Sequence, residues 1–185
     1  MAVENVTDFG PLKELLGTWK GDKGLDIAPE PEGTEESPYF ETITFEEVGE
    51  IKNAETQELV AIRYLQVVRR KLNGEVFHDE TGYWIWDKKD NTIMLTFSIP
   101  RAVNVLATGS FTKTEKEIII KVEAIKEKQD FSILQSPFML QNAKTNSFTR
   151  EFRISTDTLS YFQNVHLDIY GKTFEHTDKN ELRRV

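Results

Sequence analysis

Along most of this chain apolar and polar residues alternate with the period of two that a half-buried strand requires, so that successive side chains face opposite ways. The stretches Tyr39 to Val48, Glu58 to Arg70, Glu75 to Asp87, Asn91 to Ile99, Asn104 to Lys113, Glu117 to Ile125, Ser147 to Ser155 and Thr158 to Leu167 all carry it, with β-branched and aromatic residues prominent. Turn formers separate several of them: Asn73-Gly74, Lys89-Asp90-Asn91, Lys113-Thr114-Glu115 and Thr156-Asp157. A last segment runs from Lys172 to Val185. The beginning has another rhythm. Leu12, Leu15 and Leu16 share a face at helical spacing, Thr7 or Asp8 can cap that helix, Pro11 suits its first turn, and Gly17 ends it. Thr18 to Gly21 then predicts a first strand, and Asp22 to Pro38, rich in Gly, Pro and Glu, predicts a long loop of the kind that covers or frames a site.

So many short strands joined by hairpin turns, with little helix, imply an all-β chain: a closed antiparallel meander β-barrel of about ten strands behind a short N-terminal helix, with a two-sheet sandwich as the alternative. Residues 1–185 are expected to form one domain, with 1–16 as helix and lead-in. Residues 129–143 contain Phe131, Ile133, Leu134, Phe138, Met139 and Leu140, too apolar for a free loop, and are expected to form a lid over the barrel or a plug within it. A barrel of roughly eight to ten strands has room for one small ligand.

Composition narrows the chemistry. A net charge of −8 argues against a nucleic-acid surface, and the basic run Arg69-Arg70-Lys71 is too short to supply one. The chain has no cysteine, which excludes disulfides, thiolate metal sites and iron–sulfur clusters. No apolar run approaches the roughly 20 residues that cross a bilayer, and Met1 to Thr7 lacks the pattern of a secretory signal, so no membrane partner and a cytoplasmic location are expected. The oligomeric state stays open, a homodimer being one alternative.

The densest chemistry lies in Phe77-His78-Asp79-Glu80-Thr81-Gly82-Tyr83-Trp84-Ile85-Trp86. As a strand it places His78, Glu80, Gly82, Trp84 and Trp86 on one face, so a titratable group stands in line with two indoles, as in the wall of a ligand pocket or the rim of a core. His78 and Asp79 point oppositely and cannot chelate one ion together; His78 with Glu80 and a third ligand could. His166 falls in step with Ser160, Phe162 and Asn164, and His176 shares a face with Asp178, a carboxylate suited to orient its ring. No Gly-x-Ser-x-Gly elbow or phosphate-cradling glycine pattern occurs.

Three pieces in order resemble the nitrobindin family, the haem-binding β-barrel domains also found in THAP proteins: Leu15-Leu16-Gly17-Thr18-Trp19-Lys20-Gly21, Phe77 to Tyr83, and His176 to Val185. The resemblance implies a fatty-acid-binding-protein-like barrel and a haem b cofactor. It makes His176 the axial ligand and only metal ligand, sets His78 near the pocket, and puts Gly17, Thr18, Trp19 and Gly21 in the cofactor-binding set. It also implies that a ferric haem meets nitric oxide or isomerises peroxynitrite. The alternative is a carrier without haem, whose barrel cavity holds a fatty acid or other small apolar ligand and whose Arg63, Arg69, Arg101 or Tyr83 meets a carboxylate.

Overall fold

The computed structural model describes residues 7–185, and the part of the expected lead-in before Thr7 lies outside them. Gly10–Leu15 is a single 3-10 helix with Pro11 in its first turn. Neither Thr7 nor Asp8 is its N-cap: Phe9 occupies that position, and Asp8 Oδ1 instead accepts from the Gly10 amide at 2.9 Å. Leu12 and Leu15 are fully buried.

Ten strands form the barrel: β1 (Gly17–Glu30), β2 (Gly33–Glu50), β3 (Leu59–Arg70), β4 (Val76–Asp87), β5 (Thr92–Ile99), β6 (Val103–Lys113), β7 (Ile118–Ile125), β9 (Ala143–Ile154), β10 (Thr158–Ile169) and β11 (Lys172–Arg184). All pairings are antiparallel between neighbours, with β5 on β6 and β1 on β11 completing the circuit. Alternation fixes the inward face. On β3, Val60, Ile62, Tyr64, Gln66 and Val68 are buried while Arg63 and Leu65 are exposed; on β7, Ile118, Ile120, Val122 and Ala124 point in.

The expected loop over Asp22 to Pro38 is instead the hairpin of β1 and β2, paired without interruption from Gly24–Tyr39 to Glu30–Gly33. Its composition misleads because most of its glycines and prolines stand within paired strands. A bulge falls between Gly21 and Gly24, and a Cβ at Gly24 would lie 2.0 Å from the Tyr39 ring, so only glycine lets that buried tyrosine cross the strand.

Residues 129–143 contain β8 (Ile133–Gln135) and the helix α1 (Pro137–Asn142), capped by Ser136 Oγ accepting from the Met139 amide. β7 pairs with β6 from Thr108 to Lys113, whereas β8 takes the same edge at Val103 to Val105. Gln135 then spans to β9 with its side-chain amide, donating to Thr145 O at 2.8 Å and accepting from Thr145 N at 2.7 Å, as a strand backbone would.

One half of the barrel is solid. Trp19, Phe45, Trp84, Ile93, Leu95, Phe152 and Leu159 fill it, with the 3-10 helix across its end. The other half is hollow.

Candidate functional site

The hollow half holds a cavity of about 300 Å³, within the usual range of small-molecule sites. Much of its wall is apolar, including Val68, Phe77, Val105, Met139, Phe148 and Leu167. Into this wall the strands insert two polar groups.

The first is built on β4, β9 and β10. His78, Glu80 and Trp84 follow the inward alternation that the sequence predicts, and Glu80 and Trp84 are almost fully buried. Arg150 occupies the inward position between Phe148 and Phe152 on β9 and is 1 % exposed. It donates to both Glu80 oxygens, at 2.7 and 3.1 Å, and through Nε to Gln163 Oε1 at 2.9 Å. The rings of Phe97, Phe148 and Phe152 lie against its guanidinium. Tyr64 donates its hydroxyl to Glu80, and His78 Nε2 lies 3.4 Å from Glu80 Oε2. Burial alone would raise the Glu80 carboxyl, but the charges and hydrogen bonds of Arg150 and His78 together outweigh it and bring the pKa down to about 2. The acid that could have joined His78 around a metal is therefore already matched by an internal cation.

The second group sits on the β1–β11 seam. Asp26 and Asp178 are direct partners across it, and His176 precedes Asp178 by two residues on the same face. His176 Nε2 lies 2.6 Å from Asp26 Oδ1 and 3.8 Å from Asp178 Oδ2, while Gln163 Nε2 donates to Asp178 at 3.2 Å and so joins the two groups. For His176, burial opposes the proton, yet the Asp26 hydrogen bond and the charges of both aspartates leave its pKa raised. Asp178 is pushed up to about 7, by burial first and then by the charge of Asp26, against the pull of His176.

Another buried acid, Glu41 on β2, accepts from Tyr161 at 3.0 and 3.1 Å, Asn180 at 2.7 Å and Gln66 at 2.5 Å, and burial raises its pKa.

Of the residues expected at a cofactor site, His176 and His78 line the cavity. Gly17, Thr18, Trp19 and Gly21 do not; they build the solid half. Trp19 is fully buried, donates Nε1 to Leu15 O at 2.7 Å and carries the Arg184 guanidinium over its ring at 4.2 Å. Thr18 Oγ1 faces Thr44 Oγ1, Gly17 turns the chain at φ 109°, and a Cβ on Gly21 would strike Asn180 at 2.7 Å. Of the carboxylate-binding candidates, Arg101 lines the cavity, as does its neighbour in type, Arg70. Arg63 points outward to Glu46, Arg69 is exposed, and Tyr83 is 45 % exposed on the outer face. His166 also faces out, beside Glu175 at 3.8 Å. Sequence reasoning missed Asp26, hidden in the supposed loop, and Glu41 and Arg150; the signal for Arg150 is its place in the apolar alternation Phe148-Arg150-Phe152.

The donor set suits a haem in one respect that matters most: an imidazole nitrogen faces an apolar-walled cavity open to solvent. Asp26 holds that nitrogen, so iron would take the place of a hydrogen bond. Met139 and Ala143 bring the 129–143 segment into the cavity wall.

Among the described residues no helix is long and apolar enough to cross a membrane. No curated protein matches the chain in sequence. Among solved structures it is similar to the crystal structure of Rv2717c from M. tuberculosis, with a TM-score of 0.71 over 96 % of this chain and 99 % of that one, at 23 % identity, a likeness of fold. The family model described as THAP4-like, heme-binding beta-barrel domain matches residues 8–184, nearly the whole chain. With a closed ten-stranded barrel and two histidines on its cavity, the chain belongs to the family of THAP4-like haem-binding β-barrel domains.

Proposed function

We propose that the protein binds haem b in the hollow half of the barrel through His176 Nε2, and that its ligands in the cytoplasm are nitric oxide and peroxynitrite. The observation that carries this reading is the His176 imidazole on an apolar-walled cavity in a chain of a haem-binding family. When bound, ferric haem supplies an electrophilic metal for nitric oxide and for the rearrangement of peroxynitrite to nitrate, which conserves every atom. The chain's own residues do the rest. Val68, Phe77, Val105 and Leu167 exclude water from the faces of a flat apolar ligand. Asp26 keeps negative charge beside the iron ligand, which favours ferric over ferrous iron. Arg70 and Arg101 line the same cavity and can meet the propionates.

An absorbance titration with hemin tests this. The expected result is a saturable Soret band at one equivalent that is lost in His176→Ala with the far-UV spectrum unchanged. A band of equal strength in His176→Ala would remove the assignment.

A carrier of an uncharged apolar molecule is the second reading, favoured by the same apolar walls. A fatty-acid carboxylate inside would meet Asp26, Glu80 and Asp178, so only Arg70 and Arg101 could receive it.

A further inference from the structure

We propose that Asp26, His176 and Asp178 form a site for a divalent first-row metal ion in the haem-free protein, with the cavity side of the ion open to water or a small ligand. One ligand atom from each residue lies within 4.8 Å of the other two. An ion bonded tetrahedrally to nitrogen and oxygen at about 2.0–2.2 Å holds adjacent ligands roughly 3.3–3.6 Å apart. The contact of 2.6 Å between His176 Nε2 and Asp26 Oδ1 has to open by no more than about an ångström, and the 3.8 Å gap to Asp178 Oδ2 to close by less. Small rotations of two aspartate side chains accomplish both.

The backbone prepares this convergence. Asp26 and Asp178 are register partners on adjacent strands, and His176 is two residues from Asp178, so all three project from the same patch of sheet. Strands hold such a constellation more tightly than loops would. The acceptors also outnumber the donors. Asp26 is 5 % exposed, and one imidazole nitrogen, with at most one hydrogen, faces two carboxylates. One imidazole hydrogen cannot serve both carboxylates, and a divalent ion supplies positive charge to both at the point where the oxygens meet. Glu80, the other acid on this wall, does not compete, because Arg150 neutralises it.

An independent feature points to an occupant bearing hydrogen-bond donors. Gln66 is 4 % exposed and lines the same cavity, and among the described residues its side-chain oxygen has no partner. Buried acceptors are nearly always satisfied, and water on the open face of an ion supplies donors to such a cavity. One imidazole with two carboxylates, and no thiolate anywhere in the chain, suits Zn²⁺, Mn²⁺, Fe²⁺ or Co²⁺.

The site does not depend on haem binding; both claim the same nitrogen and therefore exclude one another. The test uses chelator-treated protein titrated with Co²⁺, read by its visible absorption, and with Zn²⁺, read by calorimetry. The expected result is one ion per chain, with affinity lowered at least about tenfold in Asp26→Asn and in Asp178→Asn, and abolished in His176→Gln. Zn²⁺ should also slow hemin uptake. The proposal is overturned by no saturable binding in the wild type, or by equal binding in the three variants. Circular dichroism identifies any variant that fails to fold, and the remaining ones decide. Hemin uptake without Co²⁺ binding removes this site alone, whereas Co²⁺ binding without hemin uptake removes the haem reading alone.

Discussion

Asp26 on β1 and His176 on β11 are 150 positions apart in the chain and stand 2.6 Å apart in the barrel. The contact exists because the first and last strands are neighbours, and it decides which state the imidazole holds. Replacing Asp26 by Asn removes both a charge and the strongest acceptor beside the ring. The His176 titration, followed by its ring-proton resonances, should then move to lower pH than in the wild type. An unmoved midpoint would mean that Asp26 does not govern this histidine.

The Glu80–Arg150 pair should behave as a buried ion pair. Glu80→Gln leaves a guanidinium that is 1 % exposed without its counter-ion, a loss of about 3–5 kcal/mol in denaturant unfolding. Replacing both residues by apolar ones of similar volume should cost much less. If the single and the double replacement cost the same, the pair is not coupled.

Acid should expose the same pair from another direction. The Glu80 carboxyl falls from 4.5 to about 2 on folding, so its contribution is present above pH 4.5 and disappears as pH drops towards 2. That contribution is on the order of 3 kcal/mol. Unfolding free energy measured from pH 6 down to pH 2 should decline less steeply in Glu80→Gln than in the wild type.

Trp19 should prove structural and not part of ligand recognition. Trp19→Ala empties a fully buried site and should destabilise the protein by about 3–5 kcal/mol. Ligand stoichiometry, read by hemin or Co²⁺ titration at low temperature, should be unchanged.

Arg63→Ala should do almost nothing. Its partner Glu46 is exposed and the pair lies on the outer face, so stability should shift by no more than about 0.5 kcal/mol. Fluorescence titration with a fatty acid should be the same as for the wild type; a lost response would return Arg63 to the binding surface.

Much of the barrel is legible in the alternation of apolar residues, because burial on one face imposes a period of two on every strand. Seven of its strands are readable to within a few residues, as at Glu58 to Arg70 for Leu59–Arg70, and the last segment proves to be the final strand of the circuit, Lys172–Arg184. The exception is the β1–β2 ribbon, where Pro29 and Pro38 stand inside paired strands and Gly24 serves a bulge and a tight crossing with Tyr39, so that the composition reads as loop. The site suffers from the same misreading. His78 and His176 are visible as single residues, and the face shared by His176 and Asp178 follows from spacing alone. Asp26 is not visible, since its importance comes from register across a seam that joins opposite ends of the sequence. Arg150 could be noticed as a charge at an inward position, but its partner Glu80 lies 70 residues away. The motif around Trp19 illustrates the opposite limit: a recognisable pattern whose work in this chain is to close one end of the barrel.

Most strands of this meander pair with the next one along the chain, so their contacts form cheaply; the β1–β11 seam must wait until both ends of the chain come together. The Asp26–His176–Asp178 cluster straddles that seam, and an ion or iron held there would bind only the completed circle. Any such ligand therefore works as a clasp: it adds to the unfolding free energy in proportion to the logarithm of its concentration. Its loss would be felt first as gaping between β1 and β11, visible as faster amide exchange along that one seam.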